Sequence, residues 1–487
     1  MTDSGKTGKK VPLSQAMAYG FGSMGASLLG WGMGSLFPIF NLLLGVSPAL
    51  ISTAQALPRV IDLFTDPFAG YLSDSLRKKY SRGFFVGVGS VVGGVFVAVL
   101  WLFPLGLSPT GYFAWILVFT SISYVALSFM AVPLQALGFE MTGDANERTK
   151  LMAFAMVMGS PLAIAGNWVY VFAQSSFFGD TIKGARWVGG VEAVAIVAFG
   201  LTAAFGCEGK SEREAAALAP ADRNRTAGFK DFVASTKRVG RNRPYIILIT
   251  SVILMLFGLF GGGMCCTYLY IYFMKGGNQS QGMVMQAIGL TGYFVGSLGS
   301  TPVVLWLSRK IGKKEALLVF LGIALAGTAL KWIVYSKTWP YLILIPPTAA
   351  GIGYTALWVL TASMMADASD LDESVTGNQD AGMFSAFFLW TIKLGTSVAL
   401  AISGILLTLT GFNVALGGAQ SHRTIMLMRT FDFSAPAISI AVAMVLISRY
   451  PITASQMAQV QEALNQRRAL AALADRSGGR TCPNASI

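Results

Sequence analysis

The sequence predicts an all-α membrane protein with twelve transmembrane helices arranged as two six-helix bundles. Three observations support this prediction. Hydrophobic residues make up 54% of the 487 residues and charged residues only 12%, about half the charged share of a soluble domain. Weakly charged runs long enough to cross a bilayer recur along the chain. One long basic segment, residues 208–243, divides these runs six and six.

In the first half, the spans follow from four runs that carry at most one charge. The first run holds one span and the start of the next, and the second run is long enough for two spans. The last of the six spans contains Glu192, which we expect near the membrane interface. The runs are residues 11–58, 83–139, 151–179 and 187–205.

The second half is predicted to contain six further spans. The last of these is the least regular, because Arg429 and Asp432 fall in its outer part. Lys331 lies four residues from Tyr335 near a helix end, where we expect its ammonium group to reach the interface. The spans are residues 244–274, 281–308, 315–335, 341–366, 381–410 and 424–447.

The distribution of basic residues predicts the topology. They cluster at the N-terminus, after the second, sixth and eighth spans, and in the tail, whereas the loops after the first and third spans have none. The positive-inside rule then places both termini in the cytoplasm. The predicted parts are a cytoplasmic N-terminus (1–13), a six-helix bundle (14–207), a central cytoplasmic loop (208–243), a second six-helix bundle (244–448) and a cytoplasmic tail (449–487).

The two halves contain related sequences. GYLSDSLRKK, residues 70–79, follows the second span, and LWLSRKIGKK, residues 305–314, follows the eighth. These are equivalent positions if each bundle is one copy of a repeat. Internal repeats are typical of secondary transporters, which hold their sites near the bilayer midplane between the repeats.

The second span carries a stripe of charge. Arg59, Asp62 and Asp66 are spaced i, i+3 and i+7, so they share one face of a helix. A charge at the bilayer centre costs about 2.5–3.5 kcal/mol, so this face must contact protein or a water-filled cavity. With Thr65 between them, the two carboxylates offer hard oxygen ligands for sodium or a shared proton site. The alternative is a purely structural ion-pair cluster.

The eleventh span contains one charged residue. Lys393 is the only charge in residues 381–421 and lies too deep to reach the interface easily. We predict that its partners are Asp62 and Asp66, so that the lysine holds the carboxylates when no cation is bound. The alternative is a lysine that faces an aqueous vestibule. Asp367, at the end of the tenth span, is instead expected to be a gate or loop charge that can pair with basic loops.

Four stretches resemble the glycoside–pentoside–hexuronide:cation symporters of the major facilitator superfamily, the family typified by the melibiose permease. Together they indicate the major facilitator fold over nearly the whole chain. The stretches are PRVIDLFTDPFAGYLSD, MAVPLQALGFEMTGDANERTKL, ALWVLTASMMADASDLDE and FLWTIKLGTSVAL.

The resemblance implies a cation site. The family binds its cation with two aspartates of the second helix, a polar neighbour and a hydroxyl of the fourth helix, and Asp62, Asp66, Thr65 and Ser128 stand at or near these positions. Lys393 matches the family's lysine on the eleventh helix. Arg59 is the second candidate charge partner.

The substrate half of the family's pattern matches less well. Ser27 stands where the melibiose permease presents an aspartate, Ala131 replaces a second aspartate, and Met156 replaces a common arginine. Trp358 matches a tryptophan that lines the sugar cavity. Trp31 and Tyr124 are further cavity candidates, each with lipid-facing or interfacial packing as the alternative. A larger, less polar or anionic substrate is therefore compatible with the sequence.

We expect cation-coupled symport of a sugar or glycoside by alternating access. The alternatives are a cation-coupled carrier of a lysolipid or other amphipathic solute, because animal relatives with a similar aspartate pair move lysophospholipids, a proton-coupled drug antiporter, and a non-transporting receptor. No nucleophile–base pair, metal-spaced cysteine set or phosphate-binding loop indicates an enzyme. We expect no cofactor beyond sodium or a proton, no nucleic-acid partner, contact with membrane lipid, and a monomer in a bacterial inner membrane.

Overall fold

The computed structural model describes residues 11–207 and 242–453 except Lys78, Gly143, Asp144 and residues 377–380, together with 240, 456–457, 459–464 and 466. Most of the predicted N-terminal segment, the central loop and the tail therefore lie outside the described residues. Over the described part the chain is helical, with no β-strand.

Twelve long helices follow one another along the chain. Their bounds are α1 Leu13–Trp31, α2 Pro48–Ser75, α3 Arg82–Trp101, α4 Pro109–Glu140, α5 Ala145–Gly166, α6 Thr181–Gly206, α7 Arg243–Met274, α8 Gln279–Ile311, α9 Lys313–Val334, α10 Ile345–Thr376, α11 Ala381–Leu409 and α12 His422–Ser448. A π-helical turn, Ile39–Leu43, follows α1, and a second, Leu269–Met274, ends α7.

Nine of the described helices are long and apolar enough to cross a membrane. They are α3, α4 and α6 to α12. Of the remaining three, α2 is 28 residues long and carries the charged stripe. Its polar face must be covered by protein or water for the helix to lie in the membrane.

Short polar side chains mark where several helices begin. Ser47 accepts a hydrogen bond from the backbone N–H of Leu50 at the start of α2, and Asn242 accepts one from Tyr245 at the start of α7. Such caps satisfy N–H groups that have no partner inside the helix. The same arrangement begins α3, α4, α8 and α12, through Ser81, Ser108, Asn278 and Ser421.

Helices α1 to α6 pack against one another, as do α7 to α12, and the two halves meet chiefly along α2 and α11. A glycine permits this close approach. A Cβ atom on Gly404 of α11 would overlap Ser52 and the backbone oxygen of Pro48 on α2. Ser52 Oγ also donates to the carbonyl of Ala401, 3.4 Å away. The seam between α2 and α11 is the surface on which the charged residues lie.

The two ends of the bundle are packed differently. At one end, here called the closed end, Phe37 and Phe40 share a single hydrophobic core with Tyr268 and Phe412 of the second half. At the other end, where α2 ends and α3 begins, the described residues form a separate core in each half. We call this the basic end, after Arg77, Lys79, Arg82 and their neighbours. The described halves are thus joined at the closed end and apart at the basic end.

Polar contacts also tie the halves together at the closed end. Tyr268 Oη donates to Asn41 Oδ1 at 2.5 Å, and Asn41 Nδ2 donates to the Val46 carbonyl at 2.8 Å. Trp168 Nε1 donates to Thr291 Oγ1 at 3.1 Å across the same interface. These buried polar groups satisfy one another only while the closed end stays shut.

We expect Gly404→Leu to destabilise the protein. Its side chain meets the backbone of α2, which cannot move away by rotating a side chain, so an overpacking loss of about 1–3 kcal/mol follows. Gly322→Leu on α9 is the matched control, because no atom lies within 4 Å of its added Cβ. Melting temperatures of the purified variants in detergent test this. A Gly404→Leu variant as stable as the control would contradict the close α2–α11 approach.

Candidate cation and substrate site

The charged stripe lies on a helix that two prolines interrupt. Pro58 and Pro67 stand on either side of Asp62 and Asp66 in α2, and each lacks the N–H that would bond to the carbonyl four residues earlier. The carbonyl left by Pro58 belongs to Ala54, and Thr120 Oγ1 of α4 lies 3.5 Å from its oxygen. A neighbouring hydroxyl therefore takes over the bond that the proline removes.

The structure brings the two aspartates of α2 together with the lysine of α11. Lys393 Nζ lies 2.6 Å from Asp62 Oδ2 and also pairs with Asp66 Oδ2. The side chain of Asp62 is 9% exposed, that of Asp66 33% and that of Lys393 26%. One ammonium group thus bridges two carboxylates across the seam between the halves.

Two hydroxyl groups complete the cluster. Ser128 Oγ of α4 donates to Asp62 Oδ1 at 2.8 Å, and Thr65 Oγ1 lies 2.8 Å from Ser128 Oγ. Because an ionised carboxylate can only accept, Ser128 spends its proton on Asp62, and Thr65 must donate to Ser128. All four residues of the predicted cation site therefore lie together with Lys393. We call these five residues the carboxylate cluster.

The carboxylate cluster has the chemistry of a site for a small hard cation. Carboxylate and hydroxyl oxygens are the ligands that such ions prefer. Two carboxylates and one ammonium group carry a formal charge of −1. A monovalent cation that takes the place of the ammonium group leaves that charge unchanged, whereas removing the ammonium group alone leaves two carboxylates to repel each other.

Transition-metal chemistry has no comparable site here. No group of three or more His, Cys, Asp and Glu side chains that could hold a metal occurs among the described residues. The cluster instead has two carboxylates with neutral oxygens, which resembles the ligand set of a weakly held alkali ion more than that of zinc or iron.

Arg59 lies apart from the two carboxylates. Its guanidinium carbon is 5.2 Å from the centroid of the Tyr124 ring, a cation–π contact. In the part of the chain that the structure describes, no ion pair joins Arg59 to a carboxylate. Tyr124 is itself only 4% exposed. The ring face that was predicted to contact substrate is therefore covered by Arg59.

The remaining substrate candidates do not contact one another. Ser27 Oγ donates to the Ser23 carbonyl of its own helix at 2.8 Å. Trp358 is half-buried and packs against the core of the second half. The side chain of Trp31 lies outside the described part of the structure. Among the described contacts, no hydrogen bond or ring contact joins Ser27, Tyr124 and Trp358.

A second buried ion pair was missed. Lys331 does not reach the interface as expected, because its Nζ lies 2.8 Å from Asp432 Oδ1, and Tyr335 Oη donates to Asp432 Oδ2 at 2.8 Å. Asp432 is 1% exposed. The i, i+4 spacing of Lys331 and Tyr335 was the available signal, since it places both on one face of α9. Glu192, also expected at the interface, is 9% exposed.

The acidic end of α10 does pair with a basic residue. Lys313 Nζ lies 2.6 Å from Asp367 Oδ2, at the basic end and within the second half. Asn242 donates to Asp372 Oδ1 at 3.2 Å nearby. These contacts hold the start of α7 and the start of α9 to the end of α10.

Known proteins resemble this chain over most of its length. The family model described as "MFS/sugar transport protein" matches residues 18–454. The uncharacterized symporter YjmB of Bacillus subtilis (strain 168) is 25% identical, covering 95% of this chain and 97% of its own. The glucuronide carrier protein homolog of Escherichia coli (strain K12) is 24% identical, with 93% and 95% covered.

Two further likenesses bear on substrate and fold. The sodium-dependent lysophosphatidylcholine symporter 1 of Gallus gallus is 24% identical, covering 94% of this chain and 90% of its own. Among solved structures, the nucleoside transporter NupG has a TM-score of 0.60 at 13% identity, with 90% of this chain and 100% of the other covered. At that identity the structural likeness concerns the fold alone.

We expect Lys393→Ala to destabilise the protein by about 1–3 kcal/mol in a medium without a coupling cation, because it leaves two carboxylates unpaired in a partly exposed seam. Adding sodium, or lowering the pH, should recover most of the loss by neutralising the pair. Melting temperatures in choline chloride and in sodium chloride measure this.

The control for that experiment is Lys313→Ala, which removes the lysine of another aspartate pair without touching the seam. Its melting temperature should show no such recovery. If Lys393→Ala melts at the wild-type temperature without any coupling cation, the bridging role of Lys393 is wrong.

Proposed function

Since the chain belongs to the MFS/sugar transport protein family and is thus a multi-pass membrane transporter of a small molecule, we propose that it carries a sugar or glycoside in symport with a cation. The carboxylate cluster is the observation that carries this proposal. It joins a cation-like ligand set to the seam along which the two halves must separate. No feature of the site indicates catalysis, and the protein is a transporter rather than an enzyme.

The coupling step we propose is an exchange at Asp62 and Asp66. Sodium or a proton enters from the accessible side and neutralises the carboxylates, and Lys393 then withdraws. Because Lys393 lies on α11 and the aspartates on α2, this exchange releases a contact between the two halves. The halves are then able to rearrange around bound substrate, as in alternating access.

The energy available from one cation is sufficient for accumulation. One positive charge that crosses 100 mV releases about 2.3 kcal/mol. At about 1.36 kcal/mol per tenfold ratio, this supports roughly 50-fold accumulation of a neutral solute. A single cation at the carboxylate cluster is therefore enough to drive uptake.

The proposed substrate class rests on relatives and on residues that differ from the melibiose permease. The relative from Escherichia coli is named a glucuronide carrier homolog. Ser27 and Ala131 stand where a galactoside carrier has aspartates. Two fewer acidic groups suit a sugar whose recognition does not depend on carboxylates, including one that carries its own negative charge.

A lysolipid is the second candidate substrate. The observation in its favour is the full-length likeness to a sodium-dependent lysophosphatidylcholine symporter. The same cation exchange would serve both substrates, since the cluster lies on α2, α4 and α11 and does not depend on the solute. The candidates therefore differ in the cavity and not in the coupling step.

The proposed orientation puts the basic end in the cytoplasm of a bacterial inner membrane, with both termini there. Arg77, Arg82, Arg243 and Lys313 lie at this end, as the positive-inside rule requires. The described conformation is then closed to the outside and open to the cytoplasm. We propose that the protein works as a monomer, because each half supplies its own residues to the seam.

A binding screen comes first in testing the function. Sugars, glucuronides and lysophosphatidylcholine are compared by thermal shift of the purified protein, each with and without sodium, because a ligand of the folded state raises the melting temperature. We expect the cognate solute to give a larger shift when the coupling cation is present. The identified solute then serves as the cargo in proteoliposomes.

Asp62→Asn and Asp66→Asn should each reduce uphill uptake from roughly 50-fold accumulation to simple equilibration. Either substitution removes the charge that a cation must neutralise. Asp180→Asn, in the segment that precedes α6 at the closed end, is the control and should accumulate normally. Wild-type accumulation by both cluster variants would refute the proposed coupling site.

A further inference from the structure

A stripe of exposed side chains runs along α8 to the basic end. Trp306 is 59% exposed, and Leu305, Arg309 and Lys310 are exposed beside it. Together with Pro302 these residues line a surface concavity of about 430 Å³. We call these five residues the α8 stripe. It shares no residue with the carboxylate cluster, and no part of the proposed transport step uses it.

The two cations of the α8 stripe lack acidic partners. Lys310 Nζ lies 5.3 Å from the centroid of the Trp306 ring, and Arg309 is exposed. Neither makes an ion pair with a carboxylate of the described residues, whereas Lys313, three residues on, pairs with Asp367. Two positive charges are thus presented outward next to an indole ring.

The repeated half of the sequence shows what differs here. Aligning GYLSDSLRKK with LWLSRKIGKK places Asp74 opposite Arg309 and Tyr71 opposite Trp306. Asp74 pairs with Arg82 at 2.8 Å, so the first half uses this position for an internal salt bridge. In the second half an arginine replaces the acid. The equivalent position therefore offers a positive charge to the surroundings, not a contact within the protein.

The stripe continues into the membrane as an apolar surface. Val295, Leu298 and Val303 of α8 are 59%, 47% and 49% exposed, and residues 295, 298, 302, 305 and 309 repeat every three or four positions on one helix face. An exposed apolar face within a spanning helix contacts acyl chains. Cations, an indole ring and an apolar face thus follow in the order of a phospholipid's phosphate, glycerol region and acyl chains.

We propose that the α8 stripe binds an anionic phospholipid. Arg309 and Lys310 hold the lipid phosphate by charge-assisted hydrogen bonds, Trp306 packs on the glycerol region, and Pro302 and Leu305 contact the acyl chains. Clusters of basic residues at the membrane surface attract anionic headgroups. The site is distinct from the transported solute's cavity, and its ligand is a structural or regulatory lipid of the surrounding bilayer.

Native mass spectrometry of the detergent-purified protein tests the proposal with phosphatidylglycerol and phosphatidylcholine. We expect phosphatidylglycerol to be retained preferentially. The Arg309→Gln/Lys310→Gln double variant should bind it about 30-fold more weakly, the effect of losing two cations near a membrane surface. Trp306→Leu should weaken binding to a smaller extent and keep the preference for the anionic lipid.

Lys79→Gln/Arg243→Gln is the matched control, because both residues are exposed at the basic end and the same charge is removed. It should retain wild-type affinity. Equal losses in the two double variants would mean diffuse attraction and overturn the proposal, as would equal binding of both lipids. Displacement of the lipid by millimolar inorganic phosphate would identify a free-phosphate site and overturn it too.

Discussion

The pairing of Lys393 with Asp62 and Asp66 is the contact on which the rest of the architecture depends. It places the one charged side chain of residues 381–421 between two carboxylates that belong to the opposite half. None of these charges is tolerable alone in a membrane helix. The close approach of α2 and α11, permitted by Gly404, brings them within reach of one another. Packing at the seam and charge balance at the site are therefore one constraint.

Buried charges serve two different purposes in this chain. The Lys331–Asp432 pair and the Lys313–Asp367 pair each lie within the second half. A rigid-body movement of one half against the other leaves such pairs intact, so they stabilise a bundle. The Lys393 bridge and the Tyr268–Asn41 hydrogen bond cross between halves. They must break when the halves separate, which makes them sensitive to the state of the transporter.

Local spacing was enough to predict the carboxylates but not the tertiary contacts around them. The i, i+3, i+7 pattern put Arg59, Asp62 and Asp66 on one helix face, and the isolation of Lys393 pointed to a carboxylate partner. Sequence alone gave no reason to place Arg59 over Tyr124, away from the aspartates. The rotation of α4 against α2 decides that contact, and no periodicity within either helix reports it.

Other contacts were beyond sequence reasoning because their partners are far apart in the chain. Lys331 and Asp432 are separated by 101 residues, and Asn41 and Tyr268 by 227. A lysine or tyrosine near a helix end reads equally well as interfacial. The twelve-helix arrangement, by contrast, follows from charge-free runs and loop charges, because the membrane imposes it on every span.

The most direct test of the account is the accessibility of Lys393 to an amine-specific reagent, measured by peptide mass spectrometry at one fixed pH. The account predicts low labelling of the wild type without a coupling cation. In an Asp62→Asn/Asp66→Asn variant, which imitates neutralised carboxylates, labelling should rise several-fold. Labelling that is already high in the wild type, or that does not respond to neutralisation, would contradict the exchange between lysine and cation.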